Sequence, residues 1–271
     1  MKDSHSSVYV SKRYSTDLTD AEWKILAPLI PAPKRCGHPR TTDMRAVCNA
    51  IYYQLKTGCQ WELLPRDFPP PSTVYSYYRK WQQRGVWEQI NHTLRDQVRR
   101  QMDKSTQPTA VAADSQSVKT TEKGEVYGFD GNKRVKGRKR LILVDSLGLL
   151  LKVVVTEANA GERVIAAYAL MSLLEERLEV LQRVKVLWVD AGYDGDCFAL
   201  AVWLMIQARV EVIHRSKPEF EVLPKRWVVE RTFGWLNWYR RLSKDYERLP
   251  EMSEAAIYAV MTRIMLRRLS A

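Results

Sequence analysis

The sequence predicts an α/β protein in two parts, an all-α region over residues 1–105 and a mixed-sheet domain over 106–271. Three observations predict it. Apolar residues recur at intervals of three and four through the first hundred residues, the period of helices with one buried face. From Ala110 onward, short apolar runs of strand length alternate with helical patterns, as in a layered domain of sheet and helices. Between the two lies the polar stretch Asp103-Lys-Ser-Thr-Gln-Pro108, where neither pattern holds.

In the first part, Thr19-Asp-Ala-Glu22 is a capping box opening a helix that carries Trp23, Leu26, Leu29 and Ile30, and Pro31 and Pro33 end it. A second helix over about 43–57 places Met44, Val47, Cys48, Ile51 and Leu55 on one face, with Gly58 as its stop. After the rigid Pro69-Pro-Pro71, Ser72 is expected to cap a third helix. Val74, Tyr75, Tyr78 and Trp81 are expected to face inward there, and Gly85 to end it. A fourth helix from about Val86 carries Trp87, Ile90, Leu94 and Val98. Tyr77, Lys80, Gln83 and Arg84 lie off the third helix's apolar stripe, the make-up of a helix-turn-helix reader of DNA. The connection over 58–71 is longer than the usual short turn of that motif.

In the second part, Ala110-Val-Ala-Ala-Asp114 is a strand ending in a carboxylate, and 140–156 reads as two strands joined at Asp145-Ser-Leu-Gly148. A long helix follows with Val164, Ala167, Tyr168, Met171, Leu174, Leu178 and Leu181 in register. Then come a strand over 184–190, a helix over about 195–208, a strand over 210–214, and a helix from Lys225 that continues to Arg241. Trp227, Trp235 and Trp238 of that helix are expected to pack inward. The order of elements calls for a mixed sheet.

Composition narrows the partners. With 45% hydrophobic residues the chain buries a sizeable core, and 43 Lys+Arg against 31 Asp+Glu give a net charge of +12. An excess of that size favours a polyanion, nucleic acid first. Cys36, Cys48, Cys59 and Cys197 form no CxxC pair and His38 and His214 sit in no ligand motif, which argues against structural zinc and disulfides. No signal peptide and no membrane span is legible, so a cytoplasmic protein, nucleoid-associated when on DNA, is expected.

The chemistry rests on carboxylates. Asp114 and Asp190 each close an apolar strand, the place where ligands of open α/β sheets sit. Two such groups side by side repel unless a cation lies between them, and hard divalent ions take oxygen ligands. Taken singly, each aspartate also fits a simpler role, capping the turn that follows. Glu230 lies on a helix face with Arg226, Gly234, Asn237 and Arg241, a stripe that elsewhere is often just solvated. Lys133, Arg134, Lys136, Arg138, Lys139 and Arg140 form a basic run able to neutralise several phosphates if it is an exposed loop.

Three segments resemble the catalytic blocks of bacterial insertion-sequence DDE transposases, in the branch of insertion sequence family five. They are Ala113-Asp-Ser-Gln-Ser-Val-Lys119, Trp188-Val-Asp-Ala-Gly-Tyr-Asp194 and Arg226-Trp-Val-Val-Glu-Arg-Thr-Phe-Gly-Trp-Leu236. Leu18-Thr-Asp-Ala-Glu-Trp, Leu63-Leu-Pro and Tyr75-Ser-Tyr-Tyr-Arg-Lys-Trp are similar to that family's helical domain, so the resemblance runs over about 14–269. It implies a ribonuclease-H-like catalytic domain whose triad falls on Asp114, Asp190 and Glu230. That triad would hold two Mg²⁺ ions, with Mn²⁺ as a substitute. Of the family's basic signature, Arg226 stands where the Arg belongs, while Leu223 replaces the Tyr and Asn237 the Lys. Arg241, or else Lys244, is the expected replacement grip on the transposon-end phosphate.

The resemblance implies a cut-and-paste transposase. It would bind terminal inverted repeats and join freed 3′-hydroxyls to target DNA, as a homodimer on paired double-stranded ends. No membrane and no small-molecule substrate is expected. Two other classes stay open at this level: a non-catalytic domesticated DNA-binding relative, and a structure-selective nuclease of the same fold.

Overall fold

At the centre of the molecule lies β1 (Ala110–Lys119), which pairs antiparallel with β3 (Val135–Asp145) on one side and parallel with β5 (Val186–Val189) on the other. The structure is a computed structural model that describes residues 14–33, 39–121, 124–214 and 224–271. β4 (Leu150–Glu157) adds antiparallel to β3, and β6 (Arg209–Val212) adds parallel to β5. The order is therefore β4-β3-β1-β5-β6, with the short β2 (Gly128–Asp130) also paired to β3, nearer its start. This is the mixed, ribonuclease-H-like sheet expected from the sequence.

The period of two along each strand divides the core. Ala112, Ile142, Val144, Val153 and Val155 face one apolar cluster, while their neighbours Val111, Ala113, Leu141, Leu143 and Val154 face another. The second face is covered by α5 (Glu162–Leu181), which leads from β4 into β5, and α6 (Asp196–Ile206), the crossover from β5 to β6. The first is covered by α7 (Pro224–Asn237), α8 (Pro250–Leu269) and the N-terminal helices. Those are α1 (Asp20–Leu26), α2 (Met44–Thr57), α3 (Pro71–Gln83) and α4 (Val86–Gln101). Their apolar residues and those of α8 form one cluster with the sheet, so the change of pattern near residue 105 is not a break in the core.

Local chemistry explains most boundaries. The Thr19–Glu22 capping box forms in both directions, and Gly58 (φ +74°) ends α2 in the left-handed region. Gly148 (φ +76°) turns β3 into β4 and leaves no room for a Cβ, which would stand 2.8 Å from Thr232 Oγ1. α3 departs from expectation: it starts at Pro71, whose fixed φ suits the first helical position, so Ser72 lies inside the first turn rather than at the cap and no side chain caps the helix. Tyr75 is 37% exposed, its ring lying edge-on to Trp61.

The register of α5 also differs. Ile165, Ala166, Ala169, Leu170 and Leu173 are buried, whereas Val164, Tyr168, Met171 and Leu178 of the expected stripe are exposed. Both faces are apolar, and the small Ala166 and Ala169 lie buried with Ile165 in the cluster beneath the sheet. α7 stops at Asn237, a separate 3₁₀ turn spans Arg240–Leu242, and of the three tryptophans only Trp235 packs on the core. Trp227 and Trp238 are exposed because Val229, Thr232, Phe233 and Leu236 form the buried stripe of that helix. Sequence periodicity passed over α8 altogether. Residues 255–263 are buried without interruption, so the helix shows no amphipathic signal. Among the described residues no helix is long and apolar enough to cross a membrane.

Candidate active site

The β1–β5 pairing runs Ala110↔Val186, Val111↔Leu187 and Ala112↔Trp188, and the same register carried two residues further sets Asp114 against Asp190. Both follow the parity of Ala112 and Trp188, so they turn to the α7 face and share a crevice with Arg226 and Val229. Asp114 Oδ1 accepts from the Ser115 N–H at 2.7 Å, and Asp190 Oδ1 from the Gly192 N–H at 2.9 Å. Asp190 thus caps the 3₁₀ turn over Ala191–Tyr193 as well. Burial pushes the Asp114 carboxyl up to about 7. The Ser115 N–H opposes this, Asp190 adds to it, and Lys133 and Arg226 counter it.

Glu230 lies one turn along α7 from Arg226 and forms an ion pair with its Nε at 2.8 Å. Among the described residues no three His, Cys, Asp or Glu side chains close on a common point within metal-holding reach. The two aspartates are together; Glu230 is turned to Arg226. The donor set nevertheless suits a hard divalent cation: all the groups are carboxylate oxygens, and two aspartates packed side by side need positive charge between them. Tyr193 adds to the fit, since its hydroxyl is buried beside Asp114 and Asp190 and makes no hydrogen bond.

The basic run divides in two. Lys133, Arg134 and Lys136 are exposed, on and just after the turn that leads into β3. Arg138, Lys139 and Arg140 are not available to DNA, because β3 starts at Val135 rather than at Arg140 and buries them. Arg138 donates to the carbonyls of Val126, Glu247 and Arg248 and pairs with Asp245 at 3.2 Å. Arg140 donates to the carbonyls of Leu242 and Lys244, and Lys139 to that of Ala160. Arg241 lies off α7 and is held at 2.8 Å by Glu247, whereas Asn237 and Lys244 are exposed. On α3, Lys80, Gln83 and Arg84 are exposed, and Tyr77 is half-buried with its ring against Trp81. Leu223, His38 and Cys36 lie outside the described residues.

Sequence reasoning missed Glu162, which accepts from the Ser115 hydroxyl at 2.6 Å beside Asp114. The only signal was its place after Gly161 at the start of a helix, where acids are common. A cavity of about 550 Å³ opens beside it, lined by Lys133, Lys139, Asn159, Arg163 and Gly192.

The strand order, with β3 antiparallel to β1 and β5 and β6 parallel to it, is that of a ribonuclease-H-like domain, and Asp114 within β1 and Asp190 just after β5 line one crevice on its α7 face. Residues 18–91 match the family described as "Putative transposase of IS4/5 family", and residues 187–267 match "Transposase DDE domain". A relative from Burkholderia cepacia, "Insertion element IS402 uncharacterized 16.2 kDa protein", is 32% identical over 119 residues, which are 41% of this chain and 78% of that protein. "Putative transposase for insertion sequence element IS402", from the same organism, is 34% identical over 128 residues, 44% of this chain and 58% of that protein. The solved structure "Crystal structure of the Mos1 mariner paired end complex with Mn" aligns over 88% of this chain and 80% of that one. Its identity is 13% and its TM-score 0.32, and the fold assignment rests on the strand order instead. The chain belongs to the insertion-sequence DDE transposases.

Proposed function

We propose that the chain carries out cut-and-paste transposition. It binds terminal inverted repeats, cleaves a strand to free a 3′-hydroxyl, and joins that end to target DNA. The observation that carries this reading is the meeting of Asp114, within β1, and Asp190, just after β5, where the parallel pairing of the two strands ends, beside Arg226. Asp114, Asp190 and Glu230 would hold Mg²⁺, or Mn²⁺ in its place. When bound, such ions activate an oxygen nucleophile and stabilise the leaving oxygen of a phosphodiester. Arg226 stands beside Asp114 and releases Glu230 to the site when its guanidinium takes a DNA phosphate instead. Lys133, Arg134 and Lys136 draw the DNA backbone toward the opening, and Lys80, Gln83 and Arg84 with Tyr77 form the reading face of α3. The active unit is a homodimer on paired ends, working in the cytoplasm at the nucleoid.

The experiment is a strand-transfer assay with wild type and Asp190→Asn on a duplex carrying the element's own ends. The variant should lose cleavage and joining by at least about 10³-fold while keeping end binding, since it gives up a metal ligand and leaves every phosphate-binding group in place. Joining at the wild-type rate would refute the reading. Light scattering of the protein–DNA complex checks the dimer.

A further inference from the structure

The carboxylate pair is met by a third acid from the other side of the sheet. Glu162 is the first residue of α5, the helix that covers the face opposite α7. Its Oε1 is occupied by the Ser115 hydroxyl at 2.6 Å, with the ammonium groups of Lys133 and Lys139 at 3.5 and 3.9 Å. Its Oε2 turns toward Asp190. A Cβ built on Gly192 would stand 2.8 Å from Glu162 Oε2 and 3.1 Å from Asp190 Oδ1. The two carboxylates therefore close on one small space that only glycine leaves open.

A second observation points to a ligand there. Tyr193 is 0% exposed, and its hydroxyl, facing Asp114, Glu162 and Asp190, has no hydrogen-bond partner. The Ser115 hydroxyl stands beside it with its own proton directed to Glu162. A buried hydroxyl left in this way lacks a hydrogen bond that a bound water or an ion's hydration shell supplies. The 550 Å³ cavity reaches both Glu162 and Gly192 from solvent, so the space is accessible.

We infer that Glu162 is a further carboxylate of the catalytic centre, holding a divalent cation together with Asp190 across the space over Gly192. Asp114 and Asp190 supply oxygens from the α7 side of the sheet and Glu162 from the α5 side. The inference rests on the transposase reading, because Asp190 serves both.

The test is a Mn²⁺ titration of the full chain without DNA, followed by the electron paramagnetic resonance signal of free Mn²⁺. Wild type, Asp190→Asn, Glu162→Gln and Gly192→Ala are compared, and melts in EDTA establish that each is folded. Glu162→Gln should weaken Mn²⁺ binding about 10- to 100-fold. Gly192→Ala should do the same with every carboxylate retained, because its methyl displaces the mobile end of Glu162 and Gly192 does not have a positive φ. Glu162→Gln decides if it is folded, and Gly192→Ala decides if it is not. Wild-type affinity in the deciding variant, with binding lost in Asp190→Asn, overturns the inference and leaves the transposase reading standing. Wild-type affinity in Asp190→Asn, or no Mn²⁺ binding by wild type, overturns both.

Discussion

Glu254 shows how far a single carboxyl can be displaced by its surroundings. Burial pushes it up to about 7, against the Val155 N–H that it accepts at 2.9 Å and the ammonium of Lys152, while Glu251 and Glu88 add to the rise. The folded state therefore keeps a proton that the unfolded chain releases near 4.5, and stability falls as pH rises through the window from about 4.5 to 7. Glu254→Gln keeps an acceptor for Val155 and removes the titration. It should be more stable than wild type by about 1–3 kcal/mol above pH 7 and close to equal below pH 4.5. Thermal melts at pH 4.5 and 8 check this, and a gap of the same size at both values would contradict it. The residue scale also holds the clearest misjudgement from sequence. Arg138 and Arg140 read as DNA-binding groups because a linear run of charge looks the same whether it is a loop or a strand. Glu162 was overlooked for the converse reason, since nothing in a lone acid shows that it faces a carboxylate distant in the chain.

Among elements, buried ion pairs tie the N-terminal helices to the sheet. Arg99 of α4 meets Asp145 at the end of β3 at 2.6 Å, and Arg263 of α8 meets Glu22 of α1. Asp145 also accepts from the N–H groups of Leu147 and Leu149, so it shapes the β3–β4 turn. Asp145→Ala leaves Arg99 buried without its partner and should cost about 3–5 kcal/mol, read by urea denaturation. β3 gives a sharper contrast. Neutralising Lys133, Arg134 and Lys136 together should leave the melting temperature within a degree or two, as expected for exposed sites. It should also flatten the slope of log K against log salt by about 0.9 for each DNA phosphate that is no longer neutralised, equally on cognate and random duplexes. Arg138→Ala should instead lower the melting temperature severely, because the buried Asp245 would keep Arg140 at 3.8 Å as its cationic partner while the carbonyls of Val126, Glu247 and Arg248 lose their donor. An unchanged salt slope in the triple variant would mean that the turn is only a solvated surface. The helices, the capping box and the Gly58 stop were legible because each is decided within a few residues. The register of α5 was not, because two apolar stripes compete and only the sheet beneath chooses between them.

For the whole molecule, the decisive feature is the core that α8 shares with α1–α4 and the sheet. Because the N-terminal helices bury their apolar faces against α8 and the sheet, they are expected to unfold together with them. Calorimetry of the full chain should show one transition, and residues 1–105 expressed alone should lack a cooperative melt. Two separate transitions would show that the helical region is independent. The sequence by itself determined the class of fold, the place of Asp190 just after a strand, and the polar face of α7 with Arg226 and Glu230; Asp114 was expected to close its strand, but β1 runs on to Lys119. These follow from period, turn chemistry and short motifs, all of them local. Only the tertiary structure decided which basic residues reach solvent, that Glu230 is held by Arg226, and that Glu162 and Gly192 stand against Asp190. Those facts depend on which strand lies beside which and on the depth of each side chain, and pairing between distant segments leaves no periodic trace in the chain.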